Sequence, residues 1–107
     1  MFSHITVGTN DMDAARRFYD ALFAAMDARA GVFDEKGRLL YFKDGRMFGV
    51  TAPIDGQPAC HANGGTIGFS LGSAEAVRAW QEAGVAHGGT AIEDPPGVRN
   101  MSGRQVF

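Results

Sequence analysis

The chain has 107 residues, of which 45% are hydrophobic and 21% charged, so it is the size of a single domain with one modest core. Its formal net charge of -2, without a run of Lys or Arg, argues against partners such as nucleic acid or an anionic membrane. No apolar stretch reaches the length of a membrane span, no signal-peptide pattern precedes the first strand, and the single cysteine, Cys60, has no internal partner. The sequence therefore predicts a cytoplasmic protein.

The first predicted elements are a strand and an amphipathic helix. Residues 2–8 alternate in character, with Ile5 and Val7 on one face. The polar run 9–11 supplies a helix N-cap, and Asp13 lies in the first turn, where the helix dipole favours a carboxylate. Apolar residues at spacings of three and four predict a helix that ends near residue 28, and they are Ala15, Phe18, Leu22 and Met26.

Three more strands are predicted before the middle of the chain. Residues 30–33 and 38–43 predict two strands around a turn at 34–37, and residues 46–51 predict another after the Asp44-Gly45 turn. The first half is therefore β-α-β-β-β. Residues 53–64 contain two prolines and two glycines and predict a linker.

The second half repeats the first at an offset of 62 positions. The segment from His4 to Phe18 falls on the segment from Thr66 to Trp80, and each copy reads as a strand, a polar cap and an amphipathic helix. Residues 65–71 predict the second opening strand. Ser73 is the predicted N-cap of the second helix, and Gly84 its predicted C-cap.

The second copy is shorter than the first. Only 23 residues follow Gly84, and residues 94–97 interrupt them with two prolines, so two short strands fit, at 88–92 and 103–107, and a third does not. The predicted sheet then has an unpaired strand, and an exposed strand edge promotes association with another chain. The sequence therefore predicts a homodimer, formed by edge pairing or by exchange of a module.

Two β-α-β-β-β modules resemble the vicinal oxygen chelate superfamily, which includes glyoxalase I, bleomycin- and fosfomycin-resistance proteins and extradiol dioxygenases. The opening of its small bacterial glyoxalase-like members is similar to the run SHITVGTND at positions 3–11 and to AARRFY at 14–19, and their linker is similar to DGQPA at 55–59. The resemblance implies an α+β fold in which paired βαβββ modules form a curled sheet. Module one spans about 1–52, the linker 53–64, and module two 65–107, which lacks the final strand.

The resemblance also implies where a divalent metal would be bound. The family takes ligands from the first and last strands of both modules, and His4 matches the first of them. Residues 46–51 offer no carboxylate or imidazole, Thr66 stands where a His is usual, and the fourth ligand belongs to a strand that this chain lacks. One ligand of four does not make a metal site, so no cofactor is expected unless a partner chain completes it.

The predicted ligand pocket lies on the inner face of the curled sheet. Its predicted residues are His4, Thr6, Thr66, Tyr41 and Phe48, with Phe42 as an alternative to Tyr41, because a register shift of one residue decides which of the two faces the cavity. Catalytic residues are unknown. Cys60, His61 and His87 either converge with His4 or are independent surface residues.

Three functions are compatible with these residues, and they leave open whether the chain is an enzyme. The first is a binding protein for a small organic molecule, of the glyoxalase/bleomycin-resistance type and without the full metal site. The second is a metal-dependent lyase, isomerase or dioxygenase acting on a substrate with vicinal oxygens, its ligands completed by a partner chain. The third is a shortened, inactive remnant that persists as a dimer.

Overall fold

A four-stranded mixed sheet, two helices of equal length and a short hairpin make up the computed structural model, which describes all 107 residues. The first half contains, in chain order, β1 (His4–Gly8), α1 (Met12–Ala24), β2 (Val32–Phe33), β3 (Leu39–Lys43) and β4 (Arg46–Thr51). The second half contains α2 (Ala74–Ala86), β5 (Arg99–Met101) and β6 (Arg104–Val106). The predicted α+β class and the β-α-β-β-β order of the first half are confirmed.

The register of the sheet decides which side chains face the helix. The strand order is β1-β4-β3-β2, with β1 parallel to β4 and the other pairs antiparallel. Ile5, Phe48 and Tyr41 are aligned across three strands on the face that α1 covers. His4, Met47 and Phe42 are the adjacent row and therefore lie on the opposite face. Phe42, 58% exposed, is the aromatic residue of β3 on the uncovered face.

The core lies between the sheet and α1. Phe23 stacks on Tyr41 with ring centroids 4.4 Å apart, and it also contacts Phe48 at 5.8 Å. All the large buried side chains belong to the first half, and they are Leu22, Phe23, Met26, Leu39, Tyr41, Phe48 and Val50. Burial of this aromatic and aliphatic surface is the main stabilising term of the fold.

The internal repeat is visible in the helices. Both have 13 residues, and their first residues, Met12 and Ala74, are 62 positions apart, as are their N-caps. Asp11 Oδ1 accepts a hydrogen bond from the amide of Ala14 (3.0 Å), and Ser73 Oγ accepts one from Ala76 (3.1 Å). These caps confirm the predicted helix starts. Neither helix has the length and apolar character needed to cross a membrane.

Gly84 is not the C-cap of α2, as the sequence predicted; α2 continues to Ala86 and His87 caps it. Gly84 is buried where α2 crosses α1, and a Cβ there would lie 3.1 Å from Leu22 Cδ2. The missing side chain therefore favours close approach of the two helices. The predicted end of α1 near residue 28 is also wrong, since α1 ends at Ala24 and a turn follows.

The strand predictions for the second half need correction. Residues 65–71 and 88–92 are irregular, whereas Arg99–Met101 forms a strand that was not predicted and pairs with β6. A strand needs a partner for its backbone groups, and no strand of this chain lies beside residues 65–71. Phe69 from this segment nevertheless packs against Phe48, with ring centroids 5.4 Å apart.

Candidate functional site

A cavity of about 440 Å³ opens at one end of the core. The start of β1, the turn between β3 and β4, the C-terminal part of α1 and residues 67–70 all border it. Its volume falls in the range of pockets that hold small organic ligands. The cavity exists because residues 67–70 pack against the core without joining the sheet, so the edge of β1 remains open.

The wall of this cavity is aromatic. Phe23, Tyr41, Phe48 and Phe69 all border it, and each ring contacts at least one other of the set. Phe69 meets Phe23 and Phe48 edge-on, at 5.8 Å and 5.4 Å between ring centroids. Met26 and Met47 supply flexible apolar surface beside the rings. Such a wall suits a flat organic molecule, which can stack on or abut the rings.

A partly buried hydrogen bond fixes the tyrosine of the wall. Tyr41 is 1% exposed, and its hydroxyl donates to Asp20 Oδ1 on α1 at 2.7 Å. The same oxygen accepts a hydrogen bond from the amide of Gly31 at 3.0 Å. Burial, and secondly the Asp20 carboxylate, raise the pKa of the Tyr41 phenol far above its usual value. Tyr41 is therefore a neutral donor held in one position, and its phenol is not available as a base.

The rim of the cavity is polar and mostly cationic. Lys43 and Arg46 flank the β3–β4 turn, and Asp44 lies between them. His4, which pairs with Met47 beside Arg46, also borders the cavity, and its Nδ1 is 2.8 Å from Ser3 Oγ. The cavity therefore combines an apolar interior with charged groups only at its opening.

The structure brings some of the predicted pocket residues together and separates others. His4, Tyr41 and Phe48 border the cavity, whereas Thr6 and Thr66 do not. Thr6 lies on the uncovered face of the sheet, where a Cβ at Gly49 would be 3.4 Å from its Oγ1. Tyr41 and Phe48 reach the cavity from the helix-covered face, because it opens around the end of the sheet.

Other residues of the site were missed by the sequence reading, namely Phe23, Met26, Lys43, Arg46, Met47 and Phe69. Phe69 had a detectable signal, since it falls on Val7 in the repeat and Val7 belongs to the apolar face of β1. The other five gave none, because their convergence depends on how the β3–β4 turn and α1 meet in space.

The side chains of one chain do not fit a metal centre. No group of three His, Cys, Asp or Glu residues is close enough to hold an ion. His4 is bonded to Ser3, Cys60 is exposed in the linker, and His87 Nδ1 is 2.7 Å from the carbonyl of Ala83 at the end of α2. Cys60, His61 and His87 therefore do not form a ligand group with His4. A tetrahedral or octahedral site needs about three protein ligands, so we derive no step through a metal.

A second cavity, of about 600 Å³, lies between the two helices, residues 90–97 and the β5–β6 hairpin. Trp80 borders it, and the indole Nε1 is buried without a hydrogen-bond partner. Arg99 holds the adjoining loop through its guanidinium, which donates to the carbonyls of Asp94, Pro95 and Gly97 at 2.9–3.2 Å. This guanidinium is therefore engaged by the backbone.

Comparison with known proteins identifies the family. No protein-family model and no curated protein matches the sequence. The crystal structure of a glyoxalase/bleomycin resistance protein from Albidiferax ferrireducens T118 matches with a TM-score of 0.92 and 44% sequence identity. The match covers 98% of this chain and 84% of that chain. The resemblance stated from the sequence is thereby confirmed, and the chain belongs to the glyoxalase/bleomycin resistance family of the vicinal oxygen chelate superfamily.

Proposed function

We propose that this protein binds a small organic molecule in the 440 Å³ cavity, and that it does so without the full metal site of the family. One observation carries the proposal: four aromatic rings converge on a cavity whose charged side chains all belong to the β3–β4 turn. An apolar pocket with a few polar groups at fixed positions is the usual form of a small-molecule site. The neutral Tyr41 and the aromatic wall supply shape and stacking, and they provide no acid–base pair for catalysis.

We also propose that the protein is a homodimer. The backbone of residues 66–72 makes no hydrogen bond to other backbone groups, and β1 has a free edge on the side away from β4. Ile67, 41% exposed, lies in this unpaired segment. Pairing between copies along either edge would satisfy the backbone groups. Because β1 and residues 67–70 both border the cavity, a second copy there would also border the ligand.

The cytoplasmic location stays a prediction. It rests on the use of cysteine in the sequence, where Cys60 is free and exposed.

Ligand binding is tested by thermal unfolding and calorimetry with a panel of flat organic compounds. A ligand at about 100 times its Kd stabilises the folded state by about 2.7 kcal/mol. Phe69→Leu should weaken binding, because it removes one ring of the aromatic wall at a residue that borders this cavity and not the second one. Phe33→Leu is the matched control, since it makes the same change at an exposed ring that borders neither cavity.

Metal analysis of the same protein separates the alternatives. Purification without chelator, followed by reconstitution with nickel, zinc, manganese or iron, should yield no stoichiometric metal. One ion per chain, together with a large rise in Tm, would contradict the proposal and favour a metal-dependent enzyme whose ligands come from two chains. A dimer that binds neither metal nor any compound would favour the inactive remnant.

A further inference from the structure

Among the side chains that border the cavity, positive charges outnumber negative ones. Lys43 and Arg46 form the last register pair of the β3–β4 ladder, and both border the cavity. Asp44 is the only carboxylate among the bordering residues. Its side chain is 85% exposed and lies 4.0 Å from Lys43 Nζ, a distance at which an exposed ion pair contributes little. The whole chain carries a net charge of -2, so this cationic opening is a local feature.

Arg46 is a charged group of the cavity that is free to bind a ligand. No carboxylate lies within 4.0 Å of its guanidinium, whose one hydrogen bond is a long one, 3.4 Å, to the carbonyl of Asp44. A guanidinium presents its donors in a planar fork that matches the two oxygens of a carboxylate. Arg38, by contrast, is already paired with Asp34 at 2.6 Å.

The interior of the cavity sets a second requirement on the ligand. A charged group transferred into the aromatic wall would lose its hydration without a partner, so it must remain at the rim. A flat apolar ring system, in contrast, gains by contact with the rings of Phe23, Phe48 and Phe69. Resting on the proposed function of this cavity, we propose that its ligand is a flat aryl carboxylate, with the ring inside and the carboxylate between Lys43 and Arg46.

Three probes of nearly identical shape test this class of ligand: 2-naphthoate, 2-naphthamide and 2-naphthylmethylammonium. Titration calorimetry at low salt should give the tightest Kd for the anion, by about threefold to tenfold over the neutral amide, as expected for partly exposed charge pairs. The cation should bind most weakly. The preference for the anion should shrink at about 0.5 M salt, where the Debye length is only a few ångström.

Arg46→Gln and Lys43→Gln should each weaken binding of 2-naphthoate and leave that of 2-naphthamide unchanged. Arg29→Gln is the control, because it removes the same charge from an exposed residue that does not border the cavity. Equal binding of the acid and the amide, weakened by Phe69→Leu and not by Phe33→Leu, would overturn the ligand class and leave the proposed function intact. An anion preference that persists in both Gln variants would also overturn it. Failure of all three probes to bind would contradict both the proposed function of the cavity and the ligand class inferred from it.

Discussion

The two halves of this molecule begin with the same pattern and differ in what the pattern achieves. Residues 4–24 and 66–86 each contain an opening segment, a polar cap and a 13-residue helix. In the first half β1 joins a four-stranded sheet that α1 covers, and nine of the ten buried residues lie there. In the second half the buried residue is Gly84, at the contact with α1. The core therefore depends more on pairing between strands than on the repeated helix.

The second half also has more exposed hydrophobic side chains and an unpaired polar atom. Seven of the thirteen large exposed hydrophobic side chains lie within residues 65–107, and the one buried side-chain polar atom without a partner is Trp80 Nε1. An unpaired buried donor costs about 1–3 kcal/mol. The stability of this half therefore depends on contacts outside it, with α1 and with the second copy that we propose.

The largest expected effect comes from truncating one leucine in each half. Leu39→Ala should lower the free energy of unfolding by about 2–5 kcal/mol, because Leu39 is fully buried between the sheet and α1. Leu71→Ala should cost less than half as much, since Leu71 is half-buried at the edge of the core. Urea unfolding of both variants measures the difference. Equal losses would show that the second half contributes to the core as strongly as the first.

The next effect concerns the contact between α1 and the C-terminal end of α2, where the two halves meet. A Cβ at Gly89 would lie 2.8 Å from the carbonyl oxygen of Gly84 and 2.9 Å from Phe18 Cε1, so Gly89→Ala should destabilise the protein by about 1–3 kcal/mol. Gly72→Ala, which meets nothing within 4 Å, should change stability far less. Thermal unfolding of the two variants checks this. A harmless Gly89→Ala would mean that the helices separate easily and that the halves are only loosely joined.

The same comparison explains what could be predicted from the sequence. β2, β3 and β4 were predicted well because each pairs with the next strand in the chain, so local alternation and turns at 34–37 and 44–45 determine the pairing. β1 pairs with the distant β4, and it was predicted from its own alternation alone. Residues 65–71 show the same alternation, yet no strand forms, because alternation indicates which face is buried and not whether a partner exists. The position of Lys43 and Arg46 at the cavity could not be predicted, because it depends on the direction of the β3–β4 turn in space. No local sequence pattern determines that direction.

A smaller effect is expected from removing the hydrogen bond between Tyr41 and Asp20 in the first half. Tyr41→Phe removes the hydrogen bond to Asp20 and should cost about 1–2 kcal/mol at pH 7, the lower part of the range for bonds to a charged group, because Asp20 remains partly exposed. Tyr19→Phe is the matched control, as the Tyr19 hydroxyl makes no hydrogen bond to lose, although burial raises its pKa too.

The pH dependence gives Tyr41→Phe a second readout. Because the pKa of Tyr41 is raised in the folded state, its contribution to stability is complete below the unfolded pKa of about 10 and is lost as the pH rises above it. The difference in unfolding free energy between wild type and Tyr41→Phe should therefore shrink between pH 9 and about pH 11. A constant difference would show that the phenol is not held neutral by burial and by Asp20.

The smallest expected effect lies in the linker that joins the two halves. The side-chain amide of Asn10 donates to the carbonyl of Ala59 (2.9 Å) and accepts from its amide (2.7 Å), so one side chain ties residues 53–64 to the start of α1. Asn10→Ala should cost less than about 1 kcal/mol in total, because both bonds are exposed and water replaces them. Hydrogen exchange at the Ala59 amide is the sharper measurement, since Asn10 is its only bonded partner, and exchange should accelerate.

Asn63→Ala, which removes the same amide from the same linker without a bond to lose, should leave that rate unchanged. If Asn10→Ala also accelerates exchange throughout α2, the linker holds the second half in place; if the change stays local, the contact of α2 with α1 does so alone.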